Sequence, residues 1–176
     1  YWGMPLPLGI VAAILAGALC GCASGTFIAK MKIPPFIATL GMMLILKGLS
    51  LVISGTRPIY FNDTPGFTQI SQGSIVGYFI PAVPLPNGVL ILFLVAIIVA
   101  FVLSKTALGR YTFALGSNEE AVRLSGVNTD RWKIAVYTLA GSICGVAGLL
   151  IASRLNSAQP ALGQGYELDA IAAVVI

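Results

Sequence analysis

Val89 to Leu103 reads VLILFLVAIIVAFVL, apolar on every side of a helix. A helix on the surface of a soluble protein keeps one polar face, so a run without one is either deeply buried or in lipid. Extended to Gly88 and Ser104, it approaches the ~20 residues, range roughly 17 to 25, that a helix needs to cross the hydrocarbon core. Residues 6–29, 35–54 and 134–153 have the same character, so four spans are expected, with 88–104 the third. The whole chain agrees: 57% of it is apolar and its mean hydropathy is +0.94, above the roughly 45–50% apolar content of soluble domains. The expected fold is all-α, a multi-span helical bundle in a single transmembrane domain over 1–176. No initiator Met stands before YWGMPLPLG, and AIAAVVI stops inside an apolar run, so the chain reads as an internal fragment of a longer protein.

Composition narrows the function. The net charge of +4 comes from Lys and Arg flanking apolar runs, not from a basic face interleaved with polar or aromatic partners, which argues against nucleic acid. There is no His, and Cys20, Cys22 and Cys144 lie in apolar stretches, so neither His-based catalysis nor a Cys/His zinc site is expected. In a helix Cys20 and Cys22 point to nearly opposite sides, which favours packing over ligation. No catalytic, cofactor-binding or metal-binding residue is assigned. The four spans carry no Asp or Glu, whereas transporters driven by ion gradients usually place such groups there.

Charge also sets orientation. Cytoplasmic connections carry excess Lys and Arg, and successive connections alternate sides. Lys30 and Lys32 follow the first span; Lys105, Arg110, Arg123, Arg131 and Lys133 follow the third; the opposite connections hold Arg57 and Arg154. Residues 105–133 are therefore expected to be a cytoplasmic loop and 55–87 an outer one. The outer connection, rich in Pro and aromatics, is expected along the interface, with a short amphipathic piece around FTQISQG (67–73). Asn62-Asp63-Thr64 also fits a glycosylation sequon.

Gly9, Ala13, Gly17, Gly21 and Gly25 recur every fourth residue in the first span, and Gly141 and Gly145 repeat the spacing in the fourth. Small residues let backbones approach closely in lipid. This favours packing within the bundle over a dedicated dimer motif. The third span lacks such a ridge and is expected to face lipid. Lys47, inside the second span, either serves a function or snorkels toward the outer end near Ser54, about 10 Å away at 1.5 Å per residue.

The charged loop contains ALGSNEEAVRLSG, Ala114 to Gly126. Ser117-Asn118-Glu119-Glu120 fits the capping box, with Ser117 as N-cap and Glu120 reaching back, and Gly126 fits a left-handed stop. About two turns of helix are marginal in water without packing. Ala121, Val122 and Leu124 offer a small apolar face ringed by Glu119, Glu120 and Arg123, suited either to folding back on its own bundle or to a groove on a partner.

Glu120-Ala121-Val122, three further residues and Gly126 follow the EAA-x-x-x-G core of the coupling loop of ABC importer permeases, with Val122 replacing the second Ala and the trailing Ile-x-Leu-Pro absent. Together with IPPFIATLGMMLILKGL (33–49), LGRYTFALGSNEEAVRLSGVNTDRWKIAVYTLAG (108–141) and SRLNSAQPALGQGYELDAIAAVVI (153–176), the chain from Lys32 onward resembles the permease subunit of ribose-type, simple-sugar ABC importers. The resemblance implies a non-enzymatic subunit in a bacterial inner membrane. It implies a second permease subunit, identical or not, cytoplasmic ATPase subunits gripping residues 117–126, and a periplasmic sugar-binding protein. ATP would sit on the partners; no G-x-x-x-x-G-K-[ST] occurs in this chain. Permeases for branched-chain amino acids or nucleosides share this style of loop. Ser117, Glu119, Glu120, Ala121, Arg123, Leu124 and Gly126 are the candidate coupling residues.

After the fourth span, Asn156, Ser157, Gln159, Gln164, Tyr166, Glu167 and Asp169 stand among Pro160, Gly163 and Gly165 before the apolar run resumes. Broken backbone at membrane depth is tolerated where protein or a water-filled cavity covers it. Asn156, Gln159, Tyr166 and Glu167, with Thr39 and Gly41 of PPFIATLG, are candidates for a sugar path. The alternative is that Glu167 and Asp169 favour a helix N-terminus.

Overall fold

A computed structural model describes residues 5–61, 66–74, 85–160 and 162–175; the sequon at 62–64 lies outside them. Four helices have the length and apolarity to cross a membrane: α1 (Leu6–Met31), α2 (Pro35–Ser54), α4 (Asn87–Lys105) and α6 (Thr129–Leu155). Between them lie a two-residue strand β1 (Ile59–Tyr60), a single turn α3 (Gln69–Gln72) and α5 (Ala107–Leu124); β2 (Ser157–Ala158) and α7 (Tyr166–Val175) follow α6.

Local sequence explains the breaks. Pro35 opens α2 at a position where its missing N–H is no loss, and Gly55, at φ 59°, closes it by donating to the carbonyls of Leu51 and Val52. Between α4 and α5 the chain turns at Thr106, whose hydroxyl and N–H both donate to the Val102 carbonyl. Gly109 then lies directly on the Leu103 backbone, where a Cβ would overlap the carbonyl. The turn requires glycine there. The hydroxyls of Ser24, Thr26, Thr138 and Ser142 donate to carbonyls four residues back, which satisfies them without a partner helix.

The bundle is built around α1 and α6, which run antiparallel in continuous contact. Gly25 meets Ile134, Gly21 meets Tyr137, Gly17 meets Gly141, and Ala13 meets Gly145. At Gly25 and Gly145 an added Cβ would come within 2.9 Å of Ile134 Cα and 2.7 Å of the Ala13 carbonyl oxygen. From Ala13 to Gly25 the small-residue ridge is thus an intramolecular seam, the packing role expected from its spacing, whereas Gly9 has open space beside it and lies outside the seam. In the absence of a hydrophobic drive between helices in lipid, this close approach is what holds them. By contrast, α2 and α4 bury none of their residues within the chain.

At the end of the bundle formed by the C-termini of α2 and α6, the connection folds over α6. Ser153, fully buried, accepts from the Ser71 N–H at 3.1 Å and donates to the Phe67 carbonyl at 2.7 Å. Gln72 Nε2 donates to the Arg154 carbonyl at 2.7 Å. The piece expected around FTQISQG is therefore a turn pinned to α6. Beside it β1 pairs antiparallel with β2, Ile59 opposite Ala158 and Tyr60 opposite Ser157.

Candidate functional site

The opposite end collects the basic residues. Lys30, in the last turn of α1, and Lys32, its C-cap, come beside the tip of α5 and the start of α6 around a cavity of about 690 Å³ that Glu119, Arg123, Asn128 and Lys133 also line. Two connections far apart in sequence thus share one end, as the alternation of charge requires.

Most of the expected loop 105–133 is helical. α5 begins at Ala107 and is broken once, at Asn118, whose φ −156° and ψ 98° are extended. Asn118 Oδ1 accepts from the Ala121 N–H at 3.1 Å, the bond of an N-cap to the third helical residue. This corrects the expected capping box. Ser117 ends the preceding helical stretch, the cap falls one residue later, and Glu120 moves to a position from which it pairs with Arg123 at 3.5 Å instead of reaching back. Both Ser117 and Asn118 are good caps by residue type; the one in extended conformation takes the role. The end of the short helix is as expected. Gly126 has φ 84°, and the N–H groups of Ser125 and Gly126 donate to the carbonyls of Ala121 and Arg123, both at 3.1 Å.

Two residues later Asn128 Oδ1 accepts from the Arg131 N–H at 3.1 Å and caps α6. Two further contacts tie the corner to α6. Lys133 Nζ donates to Glu119 Oε1 at 2.6 Å, and the rings of Tyr111 and Trp132 meet at a tilt of 35° with centroids 4.5 Å apart. These ties account for the order of a helix too short to persist alone. They also divide its residues. Glu119 turns to its own bundle and Val122 is half-buried. Ala121, Glu120 and Arg123 are exposed, and Leu124 is 82% exposed. The contributions of Asn118, Tyr111, Trp132 and Lys133 were missed from sequence; an Asn beside the Ser was the available signal for the first.

The residues proposed for a sugar path are not gathered into one place. Thr39 donates back to the carbonyls of Pro35 and Phe36, at 3.0 and 3.1 Å, and Gly41 has open space beside it. Asn156 is the left-handed C-cap of α6, at φ 51°, and its carbonyl accepts from the Phe61 N–H at 3.1 Å. Gln159 bonds Ser157 at 3.3 Å and lines a cavity of about 200 Å³. Tyr166 is exposed. Glu167 Oε2 accepts from the Gly165 N–H at 3.0 Å, so it does cap the start of α7, the alternative left open by the sequence. Glu167 also lines a cavity of about 360 Å³ between α2 and the segment before α7, together with Lys47 and Gln164. There Lys47 Nζ donates to Gln164 Oε1 at 2.8 Å.

Four apolar helices, a seam of small residues and a doubly capped corner at the basic end define a multi-pass helical membrane protein. The family model for the permease component of the branched-chain amino acid transport system matches residues 1–176. The ribose import permease protein RbsC of Escherichia coli K12 is 43% identical over 171 residues, 96% of this chain and 51% of that protein. RbsC of Bacillus subtilis is 42% identical over 154 residues, covering 87% of this chain and 46% of that protein. The fructose import permease protein FrcC of Rhizobium meliloti is 38% identical over 175 residues, 99% of this chain and 49% of that protein. No solved structure gives a significant match. The chain belongs to this permease family, and its family names indicate a transport subunit. It spans about half the length of the curated relatives it matches.

Proposed function

We propose that this chain is part of the membrane-spanning subunit of an ATP-driven, binding-protein-dependent importer of simple sugars, ribose-like in chemistry, in a bacterial inner membrane. The observation that carries the proposal is the capped helix from Glu119 to Leu124. It is fastened to α6 through Glu119 and Lys133 yet presents Leu124, Arg123 and Glu120 outward. A helix held on one side with an exposed leucine on the other suits helix-in-groove docking. In this reading the groove belongs to cytoplasmic ATPase subunits, which hold the ATP. Ala121 and Leu124 fill it, Glu120 and Arg123 set the register, Asn118 and Gly126 fix the ends, and Ser117 precedes the cap. Glu119 acts from behind, by holding the helix on α6. A second permease subunit and a periplasmic sugar-binding protein complete the assembly.

A sugar is favoured over the branched-chain amino acid of the family description because relatives at 38–43% identity are named for ribose and fructose import. The test is ATP hydrolysis by the assembled complex, stimulated by sugar-loaded binding protein. Glu120→Arg and Gly126→Pro should each reduce the stimulated rate by about tenfold or more, the scale of losing an interface anchor of ~2 kcal/mol. Unchanged stimulation in both variants would refute the coupling role.

A further inference from the structure

We propose that the cavity between α2 and the segment before α7 is a sugar-hydroxyl site in the outer half of the path, closed by the bond between Lys47 and Gln164, and this rests on the importer reading above. Lys47 sits seven residues before Ser54, the last residue of α2, at a depth where an ammonium group is costly unless paired or hydrated. Among the described residues its ammonium has one hydrogen-bond acceptor, the neutral Gln164 Oε1 at 2.8 Å, and no carboxylate within ion-pair distance. An ammonium has three donors, so capacity remains for ligand oxygens.

The surroundings match a polyhydroxylated guest. The cavity holds about 360 Å³, within the roughly 300–1,000 Å³ typical of small-molecule sites. It offers the Lys47 ammonium, the Ser50 hydroxyl, the Gln164 amide and the Glu167 carboxylate, against apolar walls from Met43 and Leu162. Ser50 donates back to the Lys47 carbonyl at 2.9 Å, which leaves its oxygen as an acceptor. Glu167 Oε2 is occupied by the Gly165 N–H, and its other oxygen remains an acceptor for a hydroxyl. Donor and acceptor groups on an apolar frame are what a sugar needs. Gln164 stands between Gly163 and Gly165, both with positive φ, 87° and 95°. The side chain that closes the site is therefore carried on backbone that glycine allows to turn. A sugar hydroxyl accepting from Lys47 replaces the Gln164 oxygen, and α2 separates from the segment before α7; exit restores the bond. A single bond to a neutral partner, exchangeable for a like bond to a hydroxyl, admits a substrate and releases it.

The experiment uses the complete importer in vesicles and follows uptake of labelled D-ribose, D-fructose and D-galactose beside sugar-stimulated ATP hydrolysis. Lys47→Met removes the donor, Lys47→Arg keeps it, and Gln164→Glu replaces the exchangeable bond with an ion pair. The site predicts uptake lowered roughly tenfold in Lys47→Met, the scale of one lost hydrogen bond to a charged group. Lys47→Arg should recover most of the uptake, and Gln164→Glu should slow it although it strengthens the tie. Sugar-stimulated hydrolysis should stay within about twofold throughout, since the site lies in the half of the bundle away from the ATPase-docking helix. Wild-type uptake in Lys47→Met and Gln164→Glu overturns the site and leaves Lys47 a snorkelling lysine. So does a Lys47→Met loss that Lys47→Arg fails to recover. A wild-type complex that imports none of the three sugars and shows no sugar-stimulated hydrolysis overturns the importer reading, and the site with it.

Discussion

Gly17 and Gly141 lie so close that a Cβ on either would overlap the carbonyl oxygen of the other. The seam between α1 and α6 is therefore backbone against backbone, and its energetics lie in packing and not in side-chain burial.

Gly17→Val and Gly141→Val should each destabilise the protein by roughly 1–3 kcal/mol, the range for overpacking a tight contact. The measurement is the midpoint of thermal unfolding in detergent. Gly9→Ala is the control, because nothing lies within 4 Å of its added Cβ. A midpoint lowered as much at residue 9 as at 17 would remove the seam as the cause.

Asn118→Ala should cost about 1 kcal/mol through the lost cap, while Ser117→Ala leaves the short helix intact. Hydrogen exchange at the amides of Glu119 to Ala121 reads the difference. Faster exchange in Ser117→Ala alone would put the cap at Ser117 in place of Asn118.

Ser153→Ala strips one buried oxygen that serves both the Ser71 N–H and the Phe67 carbonyl. Buried groups left without partners cost about 1–3 kcal/mol each. Protease applied to the side bearing the 55–86 connection should cut that variant faster than the parent, with the bundle otherwise unchanged. Equal cutting rates would mean that the turn is held by other contacts.

Lys133 and Glu119 form an ion pair whose side chains are 25% and 49% exposed, a setting in which solvent screening limits the gain to roughly 0.2–1 kcal/mol. Lys133→Glu should loosen the short helix and lower sugar-stimulated ATP hydrolysis, and adding Glu119→Lys should recover much of the loss. No recovery in the double variant would separate the pair from coupling.

Length and apolarity made the four long helices legible, since a run such as VLILFLVAIIVAFVL admits few structures. The sequence could not say where helix outlasts apolarity. α6 starts at Thr129 and ends at Leu155, beyond the 134–153 read from hydropathy, because backbone hydrogen bonding continues through TDRWK whatever its polarity. The helix from Ala107 to Ser117 lay within the expected loop 105–133, and it carries Gly109 and Gly116, residues that disfavour helix interiors; Gly109 is there for the tight turn against Leu103. β1 and β2 are two residues each, too short for any periodicity. The candidate coupling residues stood out as a motif, but which of them face the bundle and which face outward did not. Only the fold brings Glu119 to Lys133 of α6 and leaves Leu124 without such a tie. Lys47 stood out as a charge in a span, whereas its partner lies 117 residues away, beyond any local signal.

The most direct measurement is a cross-link from the exposed position on the short helix. Leu124→Cys, in the intact complex, should be captured by a thiol-reactive linker onto an ATP-hydrolysing subunit, and the captured fraction should change when ATP and sugar-loaded binding protein are added. Free labelling of Cys at 124 in the active complex, with no subunit captured under any condition, would contradict the claim that this helix is where the energy of hydrolysis enters.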